Sequence, residues 1–217
     1  MASSHEIKEN DTVKELESSR EVLVTQKKEM FEAFTGFETQ NNYVVKLQSG
    51  QTLYAAEVNT GFLSRNFLKQ LRPFEVVLSD EQHNIRLRVK RPFRFMFHEI
   101  TVMNGHEMVL GRVVKRFTFL NRIYEVNDAD DRTLFELKGP FFKPWTFRIE
   151  NALGQAGVIT KKWSGLFKEA MTDADNFGLK LEKDLPATQK AVLLGAVFLI
   201  DFVHFENNTG SSTSFGN

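Results

Sequence analysis

The segment KAVLLGAVFLIDFVHFE, Lys190 to Glu206, is the most apolar stretch of an otherwise polar chain. From Ala191 to Ile200 ten residues pass without a charged or polar side chain; Asp201 then interrupts before Phe202, Val203, His204 and Phe205. A helix that crosses a bilayer needs roughly 20 consecutive apolar residues, whereas runs of about 10 to 14 are usually core helices. Length therefore favours burial, with Leu193, Leu194, Val197 and Phe198 as the expected buried side chains. A helix apolar on every side belongs in a fully enclosed place. By periodicity alone the same Val- and Leu-rich run also reads as a central strand.

The rest of the chain supplies an enclosure. Alternating apolar runs flank turn clusters in five successive copies that start at Tyr43, Phe74, His98, Arg122 and Trp145, the last four spaced 23 or 24 residues apart. Each copy reads as a β-hairpin with turns at Ser49-Gly50, Asn104-Gly105, Asn127-Asp128 or Gly154. A sixth run, FGLKL from Phe177, adds a further strand. So many meandering antiparallel strands form a sandwich or close into a barrel that has no open edge. Eight strands make a barrel just wide enough for its own side chains to fill, so ten or more leave an axis that something must occupy. The apolar C-terminal segment is the candidate.

Composition limits the function classes. Lys and Arg number 28 and so do Asp and Glu, so net charge gives no strong nucleic-acid signal and any basic surface must be local. No cysteine is present, which excludes disulfides, thiolate metal sites and S-acylation of this sequence. The start, MASSHEIKENDTVKELESSR, lacks the apolar core of a secretory signal, and the expectation is a cytoplasmic protein or one on the cytosolic face of a membrane. Residues 1–29 read as a flexible or partly helical arm, with Thr12 and Glu15 spaced as a capping box, 30–206 as one barrel domain and 207–217 as a disordered tail. No nucleophile elbow, phosphate-binding loop, dinucleotide fingerprint or paired-histidine zinc motif occurs, which points away from an enzyme. The five histidines are scattered, although His204 follows Asp201 by three residues and could pair with it on a helix.

A family resemblance rests on blocks in order along the body: TGFETQNNY (35–43), GQTLYAAE (50–57), SRNF (64–67), RPF (72–74), RPFR (91–94), KGP (138–140), KKWSGLFKEAMTDADNFG (161–178) and the apolar C-terminal segment. These resemble the phospholipid scramblases, of the Tubby C-terminal-like superfamily. The resemblance implies a mainly β fold, a closed antiparallel barrel of about twelve strands around a buried hydrophobic C-terminal helix. It also implies calcium-responsive movement of phospholipid between membrane leaflets. Where relatives often carry a palmitoylated cysteine cluster after the RPFR block, this chain reads FMFHE, Phe95 to Glu99.

The resemblance also implies a calcium segment, DADNFGLKLEKD, Asp173 to Asp184. Spacing puts Asp173, Asp175 and Asp184 at positions 1, 3 and 12 of a twelve-residue loop, with Gly178 at position 6. Positions 5 and 9 fall on Phe177 and Leu181, which have no side-chain oxygen, and position 7 on Leu179, where the loop uses a backbone carbonyl; only three carboxylates remain, so the expected Ca²⁺ affinity is weak. The same residues also read as a turn entering a strand, with an aspartate capping backbone amides. For lipid, NIRLRVKRPFR supplies Arg86, Arg88, Lys90 and Arg91. Alternation puts Arg86, Arg88 and Lys90 on one strand face, as a stripe for anionic headgroups or as a solvated face balanced by nearby acids. Lys115, Arg116, Lys161 and Lys162 would extend the stripe if their strands neighboured it. The partners implied are an anionic phospholipid surface or, for a regulatory module that moves no lipid, a lipid surface or a protein.

Overall fold

A computed structural model of the chain describes residues 13–27, 39–58, 73–92, 98–119, 121–140, 142–143, 145–161 and 176–204. Twelve strands run in order: β1 (Glu21–Lys27), β2 (Thr39–Leu47), β3 (Thr52–Val58), β4 (Phe74–Ser79), β5 (Ile85–Arg91) and β6 (Glu99–Asn104). They continue as β7 (Val109–Arg116), β8 (Asn121–Asp128), β9 (Thr133–Pro140), β10 (Thr146–Asn151), β11 (Gly154–Lys161) and β12 (Asn176–Leu181). Each pairs antiparallel with its sequence neighbours, and β1 pairs with both β2 and β12, which closes the barrel. Among the described residues one α-helix, α1 (Ala187–His204), returns through the interior, and 15 of its 18 residues are buried.

All five expected hairpins are present, and FGLKL lies in β12. The strand absent from the sequence reading is β1. The arm expected over residues 1–29 therefore ends earlier: Glu21–Lys27 is a barrel strand whose first five residues are buried. Its polar flanks had outweighed Val22, Leu23 and Val24, a short β-favouring run with no hairpin partner beside it in sequence. Thr12 of the proposed capping box lies outside the described residues, and Glu15 sits in a single 3₁₀ turn, Lys14–Leu16. The tail from residue 207 also lies outside them.

Three of the tight turns share one construction. The Oδ1 atoms of Asp80, Asn104 and Asp128 each accept hydrogen bonds from the amides two and four residues ahead, at 2.9–3.0 Å. His83, Glu107 and Asp131, each three residues after that side chain, take left-handed backbone with φ of 62–64°. The turn at Asn104-Gly105 thus places its left-handed residue at Glu107, because the side-chain acceptor rather than the glycine sets the loop.

The meander puts all five tight turns at one end of the barrel and the connections β1–β2, β3–β4, β5–β6, β7–β8, β9–β10 and β11–β12 at the other. We call these the closed and open ends. Since β12 runs toward the closed end, α1 enters there and finishes with His204 at the open end. Leu193, Leu194, Val197 and Phe198 are all buried in the single apolar core, as expected. The helix comes very close to the wall: a Cβ on Gly195 would sit well inside van der Waals contact with Val102 Cγ2 on β6. Gly111 on β7 is similarly confined, by the Asn127 carbonyl and by Val192 of the helix.

Gly195 generates a test. Alanine in a helix interior is favoured over glycine by about 1 kcal/mol. Val102 is a stiff β-branched residue in a paired strand and cannot swing aside cheaply, and overpacking costs about 1–3 kcal/mol. Gly195→Ala should therefore lower the denaturation midpoint despite its better helix propensity; a raised midpoint would show that β6 yields.

Candidate functional site

The open end concentrates the polar interior. Alternation points Leu87, Val89 and Arg91 of β5 inward, and Arg91 is buried. On β8 the inward set is Arg122, Tyr124 and Val126, and Tyr124 lies opposite Lys115 of β7. The Lys115 amide donates to the His98 carbonyl at 2.8 Å, which places His98 in the same layer. Strands β5, β7 and β8, with the residue that precedes β6, thus turn Arg91, Lys115, Arg122 and His98 toward the last turn of α1. The C-terminal end of a helix carries partial negative charge from its free carbonyls, so cations are favoured there. Aromatic faces help: the Arg91 guanidinium lies 5.0 Å from the Phe202 ring centroid and Arg122 lies 4.7 Å from that of Phe147. Arg122 also donates to the carbonyls of Pro140 and Lys143, at 3.4 and 3.2 Å.

Two imidazoles in this layer are held neutral. Burial, with Lys115, Arg122 and His98 beside it, pushes His204 down to about 3, and burial with Arg91 and Lys115 pushes His98 down to about 4. Nη2 of Arg91 donates to Nδ1 of His98. The Tyr124 hydroxyl, whose pKa burial raises, donates to Nε2 of His204 at 2.8 Å. Lys115 is shifted downward by burial and by Arg122 and Arg91.

The opposite wall is amide and acid. Gln26 donates to Asn41 Oδ1 at 2.9 Å, and Asn41 Nδ2 donates to Glu57 at 2.6 Å. The Tyr43 hydroxyl donates to Asp201 at 3.1 Å. Asp201 and His204, expected as a local pair, are thus each met by a tyrosine, from strands β2 and β8, which stand six apart in the twelve-strand ring.

The expected lipid residues separate. Arg86 pairs with Glu15 at 2.5 Å and Asp80 at 3.1 Å; Arg88 pairs with Glu75 at 2.9 Å, and Lys90 lies 3.6 Å from the same carboxylate. These three occupy the outer face and are balanced by acids. Arg91 does not join them: its position in the alternation turns it inside. Lys115 is inward and two strands from β5, and Lys161 is on β11, six strands away, so neither extends the stripe. Lys162 lies outside the described residues.

The proposed calcium loop does not fit a single coordinating turn. Phe177, Leu179 and Leu181 belong to β12, which is paired along both edges, with β1 and β11. Six residues of strand span about 20 Å, so Asp184 beyond one end cannot share an ion with donors beyond the other. Asp173 and Asp175 lie outside the described residues. Asp184 instead accepts from Lys190 Nζ at 2.9 Å, and the same ammonium donates to the Glu17 carbonyl at 2.5 Å. Lys190, in the first turn of α1, is 1% exposed. Sequence reasoning missed this lysine because it opened the apolar run as an ordinary flank.

Two expectations follow. Lys190 holds the Asp184 carboxyl below the usual carboxylate range, so the pair's stabilisation is present above the ordinary carboxylate pKa and lost as pH falls through the lowered one. Asp184→Ala should lower the melting temperature in calcium-free buffer, since it leaves a buried ammonium short of a partner. The imidazoles add a second dependence. Their folded pKa values, about 3 and about 4, lie below the ordinary 6.5, so the unfolded chain binds more protons between them. Stability should be full above pH 6.5 and decline progressively toward pH 4 and 3, and His204→Phe should flatten that slope in melts across the range.

The family described as Scramblase matches residues 1–207. Human phospholipid scramblase 1 is 32% identical over 205 residues, covering 88% of this chain and 64% of that protein. The rat phospholipid scramblase 1 is 32% identical over 203 residues, with 86% and 60% covered, and human phospholipid scramblase 2 is 31% identical over 199 residues, with 85% and 67%. The chain thus spans about 60 to 67% of the length of these relatives. No solved structure matches it. With the family match running from the first residue through the whole barrel and the axial helix, this chain belongs to the phospholipid scramblase family.

Proposed function

We propose that the chain works on phospholipid at an anionic membrane surface as an intact barrel, and that exchange of phospholipid between leaflets, the activity its relatives are named for, is its activity. The observation that carries this form of the reading is the burial of α1. The helix is long and apolar enough to span a bilayer by length and composition, yet it fills the barrel. Withdrawing it would expose its apolar surface and strip Lys190 and Asp201 of their partners. Lipid contact is accordingly assigned to the outside of a folded barrel. Calcium responsiveness would rest on Asp173 and Asp175 rather than on a loop that includes Asp184.

The same burial supports a second reading, a regulatory module that docks on lipid without moving it between leaflets. Labelled phosphatidylserine in reconstituted vesicles separates the two. The first predicts leaflet exchange faster than in protein-free vesicles, compared with and without Ca²⁺ and with Asp173→Ala/Asp175→Ala. Full vesicle association with exchange at the protein-free rate would leave only the docking module.

A further inference from the structure

The chain has no net charge, but among the described residues the cations at the open end outnumber the acids there. The tight turns at the closed end carry Asp80, Glu81, Glu107, Asp128, Asp130 and Asp131, and Arg86, Arg88, Arg112 and Arg132 pair with acids of this set. Among the described residues the open end holds Arg91, Lys115, Arg116, Arg122, Lys143 and Lys161, against the acids Glu57, Glu75, Glu99 and Asp201. Arg116 is paired with Glu125 at 2.6 Å, while burial and the neighbouring Arg122 and Arg91 hold the Lys115 ammonium below its ordinary pKa. Among the described residues the open end is therefore the basic one.

Large apolar side chains protrude at the same end. Phe117 and Phe119, between β7 and β8, are 82% and 94% exposed, and their rings meet edge to face with centroids 5.5 Å apart. Phe142, between β9 and β10, is 92% exposed, with Trp145 partly exposed in the same connection. These are separate loop tips rather than a flat apolar face, and Lys143 adjoins Phe142 while Arg116 adjoins Phe117. Aromatic tips beside cations suit a layer that is apolar below and anionic above, because the rings bury area in the acyl boundary while the cations stay at headgroup level.

We propose that the open end of the barrel is the membrane-docking face, with Phe117, Phe119 and Phe142 entering the interface of an anionic phospholipid bilayer. This rests on the membrane reading above and moves the contact from the outer face of β5 to the barrel rim. The axial helix then turns its C-terminal end toward the membrane, beside the inward cations Arg91, Lys115 and Arg122 on one wall, and remains inside.

The test is cosedimentation of the full chain with phosphatidylcholine vesicles made with and without phosphatidylserine. Phe117→Ser/Phe119→Ser/Phe142→Ser should weaken binding to the anionic vesicles about tenfold or more. Its melting temperature should stay near that of the wild type, because the three rings are exposed. Leu153→Ser removes a side chain that is 82% exposed at the closed end and should leave binding unchanged. Added salt should weaken wild-type binding. If the triple variant binds as the wild type does, the docking face is elsewhere while the membrane reading stands. If the wild type binds neither vesicle, the membrane reading fails and the docking face with it. A triple variant that keeps vesicle affinity but loses concentration-dependent self-association would assign the rim to a second copy of the chain and overturn the proposal.

Discussion

A closed sheet of twelve strands encloses more space than inward side chains can fill, and everything in this molecule follows from how that space is occupied. The occupant is α1. It must be apolar all round because walls surround it, and it must be thin where it leans on β6, which is the role of Gly195 against Val102. Its ends are polar because they reach the two mouths. Lys190 is held at the closed end by Asp184 and the Glu17 carbonyl, while Asp201 and His204 are held at the open end by Tyr43 and Tyr124. A helix that would pass for a membrane span by composition is thereby registered inside a barrel.

The placing of charge along the barrel has local causes. Tight turns at the closed end use a short acceptor side chain to bind two amides, and Asp80 and Asp128 are acids partly for that reason. At the other end the free carbonyls of the last helical turn favour cations, and inward Arg and Lys collect around them. Two ordinary solutions to backbone hydrogen bonding thus put acids in the tight turns and, among the described residues, cations at the open rim.

The RLRVKR run shows how one-residue steps decide roles. Arg86, Arg88 and Lys90 face outward and meet Glu15, Asp80 and Glu75, whereas Arg91 belongs to the inward row of Leu87 and Val89 and stacks on Phe202. The alternation of Arg86, Arg88 and Lys90 against Leu87 and Val89 was legible in the sequence, but Arg91, expected at the lipid surface with them, is turned inside by the next step of the same alternation. The carboxylates that balance the other three were not legible there, since Glu15 is distant in sequence and Glu75 and Asp80 reach them only through the pairing of β4 with β5.

Periodicity and turn chemistry by themselves determined five hairpins and the FGLKL strand, because period-2 alternation and Asx or glycine turns act within a few residues. Run length determined that the C-terminal segment should be enclosed, and block resemblance identified the family. Strand β1 needed its partners, since Val22 and Val24 are strand-forming only in the gap between β2 and β12 that closure creates. The buried lysine, the tyrosine contacts at the helix end and the basic open end were likewise decided by tertiary structure. Each joins residues far apart in sequence, as Tyr124 and His204 are by 80 positions, and is brought together by a register that ring closure sets. Local sequence carries torsions and periodicity, but the distance between two walls of a barrel exists only once it has closed.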